Sequence, residues 1–241
     1  MTIREWKCCT AELLGTFALV FFGCGAIALL GKEGGLAGHL TINLVFGAVV
    51  AAMIFSLGHI SCAHFNPAVT VGFAIARRFP WRLVGAYILF QLAGAVLACC
   101  ALALLLPSAP LSAAHFGGTV PGLGMELVAV LGVELLISFF LMLVIISVAT
   151  DARVPPGFAA IAIGAWVTMA GLMAGPLSGS SMNPARSFGP AAFAGGPALA
   201  ALWLYFAGPV VGASLGALVY EFLRSSRGSA RTTPDSCCAA D

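Results

Sequence analysis

Six near-continuous apolar stretches divide the chain, at about 9–30, 40–58, 83–105, 126–149, 157–175 and 197–223. A helix that crosses a bilayer needs about 20 such residues. A membrane barrel strand would instead alternate apolar and polar at every second position. These runs do not alternate, so they predict six transmembrane helices, each satisfying its own backbone polar groups. Composition closes the other routes. The chain has 241 residues, 61% hydrophobic and 8% charged, where a soluble domain carries about a quarter charged. A net charge of +2 gives no basic footprint for nucleic acid, and the apolar content excludes a disordered chain.

The cations orient these spans. Arg4 and Lys7 precede the first, and Arg77, Arg78 and Arg82 separate the second from the third. Arg153 lies between the fourth and fifth, and Arg224, Arg227 and Arg231 follow the sixth. All of these fall on one side of a six-span topology, and Lys32 falls on the other. The excess of Lys and Arg on cytoplasmic loops places both termini in the cytoplasm. Glu12 interrupts the apolar core that a cleaved leader would need, so the first stretch reads as a span. Cys8, Cys9, Cys237 and Cys238 then lie on the cytoplasmic side and are expected to be reduced. No Cys-x-x-Cys pair occurs, so neither a metal nor a cofactor is indicated. Residues 224–241, rich in Ser, Arg and Thr, are expected to form a disordered cytoplasmic tail.

The chain also repeats itself. Ala11-Glu12-Leu13-Leu14 matches Val133-Glu134-Leu135-Leu136 at an offset of 122, and His64-Phe65-Asn66-Pro67-Ala68 matches Ser181-Met182-Asn183-Pro184-Ala185 at 117. Phe46-Gly47 and Ile163-Gly164 are again 117 apart, and Gly94 and Gly212 are 118 apart. Near-equal offsets in the same order indicate a duplication. Each copy holds three spans, an odd number, so the second enters the membrane from the opposite face. Such inverted repeats place a solute path near the bilayer midplane. The expected division is a first repeat over 1–110, an extracellular connector over 111–124 and a second repeat over 125–223.

Each repeat carries one Asn-Pro-Ala: Asn66-Pro67-Ala68 and Asn183-Pro184-Ala185. Each follows a stretch rich in small and polar residues, from Gly58 and from Gly175, that is expected to be non-helical. Each precedes a short apolar run, 67–76 and 184–194, about half a membrane span. Asn is a favoured N-cap and Pro fits the first helical position, so each motif predicts a short helix. Non-helical backbone at membrane depth is tolerated only where protein buries it or a cavity solvates it. Two re-entrant half-helices would therefore meet at the centre, N-terminus to N-terminus, with their positive dipole ends facing. The spare amides of Asn66 and Asn183 would donate into a shared lumen, and the carbonyls of 59–65 and 176–182 would accept. Helix capping alone explains part of the case for each Asn, but not two polar loops among apolar spans.

On these residues the sequence resembles the aquaporin family, the major intrinsic proteins. The likeness is carried by residues 58–70, by Met182-Asn183-Pro184-Ala185-Arg186-Ser187-Phe188-Gly189-Pro190, and by Ala11-Glu12-Leu13-Leu14-Gly15-Thr16-Phe17. It implies an all-α membrane protein of six transmembrane helices and two re-entrant half-helices, related as an inverted repeat. It further implies a homotetramer in the lipid bilayer with one pore per subunit, passing water or small neutral solutes. In aquaporin-type channels an Arg or the positive ends of half-helices exclude protons and cations.

Arg186 is the one charge beside either motif, and its repeat counterpart is Val69. An intramembrane charge marks function by default, although an Arg can also snorkel to the outer headgroups. The resemblance makes Arg186 the outer-filter cation. Counting back from the motifs places Phe46, Gly171 and Ser180 at the other filter positions. Strict water channels of the family have His where Gly171 stands, so the constriction is expected to be wider and to admit glycerol, urea, ammonia, peroxide or metalloid hydroxides. Gly171 could equally serve helix packing, and Met169 or Met173 could lean in and refill the gap. Ser187 argues against a glycerol facilitator, which has Asp there. Ala191 and Tyr205 fit the water-channel pattern, while Phe206 replaces a common Trp.

Glu12 and Glu134 occupy matching places in spans one and four. They read either as proton-relay carboxylates or as braces for the re-entrant loops, and the resemblance favours braces. His64 is read as lumen-facing or loop-bracing. Glu126, His39 and His115 read as loop or interface residues without a chemical role. Metal binding by His59 and His64 lacks a third ligand. A passive channel for water and other small neutral solutes is the expected function. A facilitator for which water is a minor permeant is the alternative, and an ion-coupled transporter, a structural membrane protein and an enzyme are the competing classes.

Overall fold

The computed structural model describes residues 1–31, 34–151, 153–155 and 157–224. Lys32, Arg227, Arg231, Cys237, Cys238 and the tail beyond residue 224 lie outside the described residues. Six helices are long and apolar enough to cross a membrane: α1 (Ile3–Leu30), α2 (Gly35–Ser61), α4 (Trp81–Leu105), α6 (Leu127–Thr150), α7 (Phe158–Ser178) and α10 (Leu202–Leu223). Between them lie the half-helices α3 (Pro67–Ile75) and α8 (Pro184–Ala194), the short α5 (Ser108–Ala113) and α9 (Gly196–Ala200), and a 3-10 turn at His115–Gly117. No strand occurs among the described residues.

The spans run longer than hydropathy alone indicated. Helix α2 continues to Ser61 and α7 to Ser178, so the non-helical stretches begin at Cys62 and Gly179 rather than at Gly58 and Gly175. Pro176 sits inside α7, where its missing N–H orphans the carbonyl four residues earlier. That carbonyl, of Leu172, lies 3.0 Å from Nε2 of His39. A side-chain donor from α2 thus substitutes for the lost backbone bond, and the helix continues. The last span is instead split: α9 ends at Ala200 and α10 starts at Leu202.

Packing repeats in pairs. Helix α1 packs on α4 and α6 on α10, while α2 meets α7. A Cβ on Gly94 would stand 2.3 Å from the Leu13 carbonyl, and one on Gly212 2.1 Å from that of Leu135. At the α2–α7 crossing Gly47 and Gly164 each face the other's carbonyl, at 2.4 and 2.6 Å from a built Cβ. Small residues let helix backbones approach where lipid supplies no hydrophobic drive. The half-helices are exchanged across the molecule, α3 packing on α10 and α8 on α4. On the side bearing the start of α1 and the end of α10, Arg78 bonds Glu221 at 2.6 Å and Arg82 bonds Glu5. Cys8 and Cys62 are disulfide-bonded, against the expectation of a reduced Cys8, while Cys9, Cys24, Cys99 and Cys100 are free.

Candidate functional site

Each half-helix starts at its Asn. The Asn66 side-chain oxygen accepts from Ala68 N at 2.9 Å, and that of Asn183 accepts from Ala185 N and Arg186 N at 3.0 and 3.3 Å. Pro67 and Pro184 take the first helical positions, where no N–H is needed. The two caps are tied to each other. Asn66 Nδ2 donates to the Met182 carbonyl at 2.7 Å, and Asn183 Nδ2 donates to the Phe65 carbonyl at 2.8 Å. One N–H of each amide is therefore spent in joining the loops, and one is left for the lumen.

The loops are held from behind by the two buried glutamates. Glu12 accepts from Ser61 Oγ, His64 N, Phe65 N and Gln91 Nε2 at 2.6 to 2.9 Å. Glu134 accepts from Ser178 Oγ, Ser181 N and Met182 N at 2.7 to 2.9 Å. Tyr87 and Tyr205 donate to the Ser61 and Ser178 carbonyls at 3.1 and 2.8 Å. These bonds hold residues with left-handed φ that are not glycine: Cys62, Ala63 and Phe65 in the first loop, Ser180 and Met182 in the second. Such backbone is costly and persists only where its surroundings over-determine it. His64 Nδ1 lies 3.1 Å from Thr70 Oγ1, and the ring stacks on Phe73 and abuts Phe79 and Tyr87. His64 also reaches the cavity lining, so both of its expected roles remain geometrically open.

One cavity of about 430 Å³ is bounded by both loops, by Gly31, Gly118 and Gly122 at one end and by Ala149 and Ala159 at the other. Its walls are largely apolar, with Leu19, Val50, Ile54, Leu141, Ile145, Ile163 and Val167. Asn66 and Asn183 face it, as do all four residues assigned to the filter: Phe46, Gly171, Ser180 and Arg186. The Arg186 side chain is buried, its Nη1 donates to the Gly117 carbonyl at 2.8 Å, and its guanidinium carbon lies 5.0 Å from the Phe46 ring centre. A desolvated cation over an aromatic face gains from the ring quadrupole. The connector is pinned to deliver that carbonyl: Gly117 has φ +70, and a Cβ there would stand 2.6 Å from Cys24 Cα. Ser187 points elsewhere, bonding Thr119 Oγ1 at 2.7 Å and Ser181 Oγ at 2.6 Å.

The space expected beside Gly171 is not empty. A Cβ on Gly171 would lie 1.9 Å from Asn43 Oδ1. Met169 and Met173 do not fill it, being 55% and 59% exposed on the outer surface of the chain. Sequence reasoning missed Asn43 and Gln91, although an amide inside an apolar span is a signal in itself. It also passed over His39, whose link to Pro176 requires the α2–α7 contact. Gly117 acts through its carbonyl, and no side-chain pattern could have announced it.

Six spanning helices around a polar-centred cavity, flanked by two cross-bonded half-helices, define a membrane channel. The family model "Major intrinsic protein" matches residues 1–220, and the chain belongs to that family. Aquaporin NIP1-3 of Oryza sativa subsp. japonica is 47% identical over 214 residues, covering 89% of this chain and 72% of the relative. Probable aquaporin NIP4-2 of Arabidopsis thaliana is 46% identical over 216 residues, covering 89% and 73%. The aquaglyceroporin of Plasmodium falciparum superposes with a TM-score of 0.82 at 23% identity, covering 91% of this chain and 96% of that one. At that identity the likeness speaks for the fold.

Proposed function

We propose that the protein is a passive, bidirectional, single-file channel for water and small neutral solutes, glycerol among them, and that it is tight to protons and ions. The observation that carries this reading is a cavity lined both by apolar side chains and by the polar groups Arg186, Asn183 and Asn66. A solute moving past them exchanges its hydration for donors on Arg186 and on the free N–H of each Asn. The backbone of Ala63, His64, Ser180 and Ser181, which border the cavity, would supply carbonyl acceptors. A cation meets the Arg186 charge and the positive ends of two half-helices, whose fields are strong in a narrow, low-dielectric passage.

The protein on this reading is a transporter and not an enzyme. It resides in the cell membrane with both termini in the cytoplasm, as the cation asymmetry supports. It assembles as a homotetramer with one pore per subunit, as the family resemblance implies. Glu12 and Glu134 serve as braces, since each spends both oxygens on loop donors. A second reading is a facilitator of glycerol and uncharged metalloid hydroxides with water as a minor permeant; Gly171, which has no side chain of its own, favours it, and Asn43 Oδ1 standing in that space counts against it. Stopped-flow light scattering on reconstituted vesicles under a glycerol gradient tests both. Fast shrinkage followed by re-swelling faster than in empty vesicles is expected. Slow shrinkage with fast re-swelling would favour the second reading, and no change from empty vesicles would overturn both.

A further inference from the structure

We propose that Asn43 is a specificity-determining residue of the filter, presenting a fixed hydrogen-bond acceptor in the space that a side chain at position 171 would occupy. The proposal rests on the channel reading and adds a residue to it. Asn43 stands on α2, one turn before Phe46, and borders the same cavity as Gly171 and Arg186. Its orientation follows from a chain of bonds that begins at Pro176. Because Pro176 has no N–H, the Leu172 carbonyl takes its hydrogen bond from His39 Nε2. An imidazole that donates through Nε2 offers Nδ1 as an acceptor. Asn43 Nδ2 lies 3.3 Å from that Nδ1 and 2.8 Å from the His39 carbonyl. Both amide hydrogens thus have partners on His39, and Oδ1 must turn the other way. None of the described residues donates to it, and it lies 1.9 Å from where a Gly171 Cβ would be.

The two sides of the filter are therefore chemically opposite. Arg186 has only donors, Asn43 Oδ1 only accepts, and Phe46 offers an apolar face. A solute that both accepts and donates, such as water or a small polyol, satisfies all three. A neutral solute of the same size that cannot donate leaves Oδ1 unpaired in a desolvated site, and a buried polar group without its partner is disfavoured. Gly171 is then glycine because Asn43 needs the room, rather than to widen the pore.

The test uses full-length protein in vesicles, with the permeabilities to water, glycerol and dimethyl sulfoxide, a small neutral solute that cannot donate, each measured above the rate of empty vesicles. Asn43→Leu keeps the volume and removes the acceptor. It is expected to lower the glycerol-to-dimethyl sulfoxide permeability ratio by about two- to tenfold, the worth of one hydrogen bond. An unchanged ratio would overturn the proposal. A thermal-unfolding cycle guards against a variant that fails to fold. Gly171→Ala should lower the midpoint in the parent, where Asn43 must be displaced, and do so much less beside Asn43→Ala. Equal shifts in both backgrounds would mean that Asn43 does not hold the 171 space. Wild-type protein without any flux would sink the channel reading itself, whereas glycerol flux with an unaltered Asn43→Leu ratio would sink only this one. Wild-type flux of water without glycerol would keep the channel reading for water and overturn only the proposal that this filter accommodates a small polyol.

Discussion

The two Asn-Pro-Ala loops are built alike where they are held and unlike where they meet a solute. Glu12 and Glu134, Ser61 and Ser178, Tyr87 and Tyr205, and Asn66 and Asn183 make the same bonds in each loop. Even His64 and Thr70 in the first loop stand where Ser181 and Ser187 stand in the second, each pair in hydrogen-bond contact. The filter positions break the match. Arg186, Ser180, Gly171 and Phe46 correspond at the 117 offset to Val69, Ala63, Ile54 and Ile163, all of which border the same cavity. Asn43 corresponds to Ala160. Two copies of one frame hold the backbone, and the proposed function puts the selective chemistry at the mouth beside Arg186. The loops are also anchored differently. The first is packed into Phe73, Phe79 and Tyr87 through His64. The second reaches the connector, through Ser187 to Thr119 and through Arg186 to Gly117.

Making the mouths alike is the harshest test of this contrast. Arg186→Val gives the second repeat the residue of the first. A unit charge about 4 Å away at an effective dielectric near 20 is worth about 4 kcal/mol, so proton or cation leak should rise by orders of magnitude while water flux persists. A trapped pH dye at equal protein density reads this directly, and an unchanged leak would mean that the half-helix dipoles suffice alone.

The shared frame can be broken one half at a time. Glu12→Gln and Glu134→Gln each leave a loop N–H without an acceptor, at about 1–3 kcal/mol per orphaned group. The two should not be equal. Gln91 stands beside Glu12 with an unpartnered Oε1 and can turn to accept from a Gln at position 12, whereas no side-chain amide among the described residues bonds Glu134. Thermal unfolding in detergent should therefore show the larger loss for Glu134→Gln. Equal losses would remove Gln91 from the account.

Gly171→His is a smaller and more local change. Its ring must displace Asn43, and a variant that folds should pass glycerol at least about tenfold more slowly, since a single methylene in a pocket already gives that discrimination. Glycerol flux equal to the parent's would show that position 171 lies outside the constriction. The mildest change is Ser180→Ala. Ser180 Oγ is buried without a partner among the described residues, so stability should stay within about 0.5 kcal/mol. A larger loss of thermal midpoint would reveal a bond made only in the membrane.

The sequence made the frame legible because its signals are local. Apolar run length gave the spans, Asn-Pro gave the half-helix starts, and the paired offsets gave the inverted relation of the halves. Its reading of the loop ends was too generous, since Gly58, Gly175 and even Pro176 are tolerated inside helices. The filter was legible only as four positions. What fills the space at Gly171 depends on where α2 crosses α7, and the arrival of the Gly117 carbonyl depends on how the connector folds onto α1. Neither contact leaves a mark at the positions it affects. Asn43, a lone amide in an apolar span, was the available clue.

On the proposed function, one frame conducts neutral solutes while one mouth keeps ions out. Vesicles containing both a volume reporter and a trapped pH dye, prepared over a series of protein densities, test it in a single run. Water permeability should rise with protein density while internal pH relaxes at the rate of empty vesicles. A proton flux that rises in step with the water flux would contradict the account.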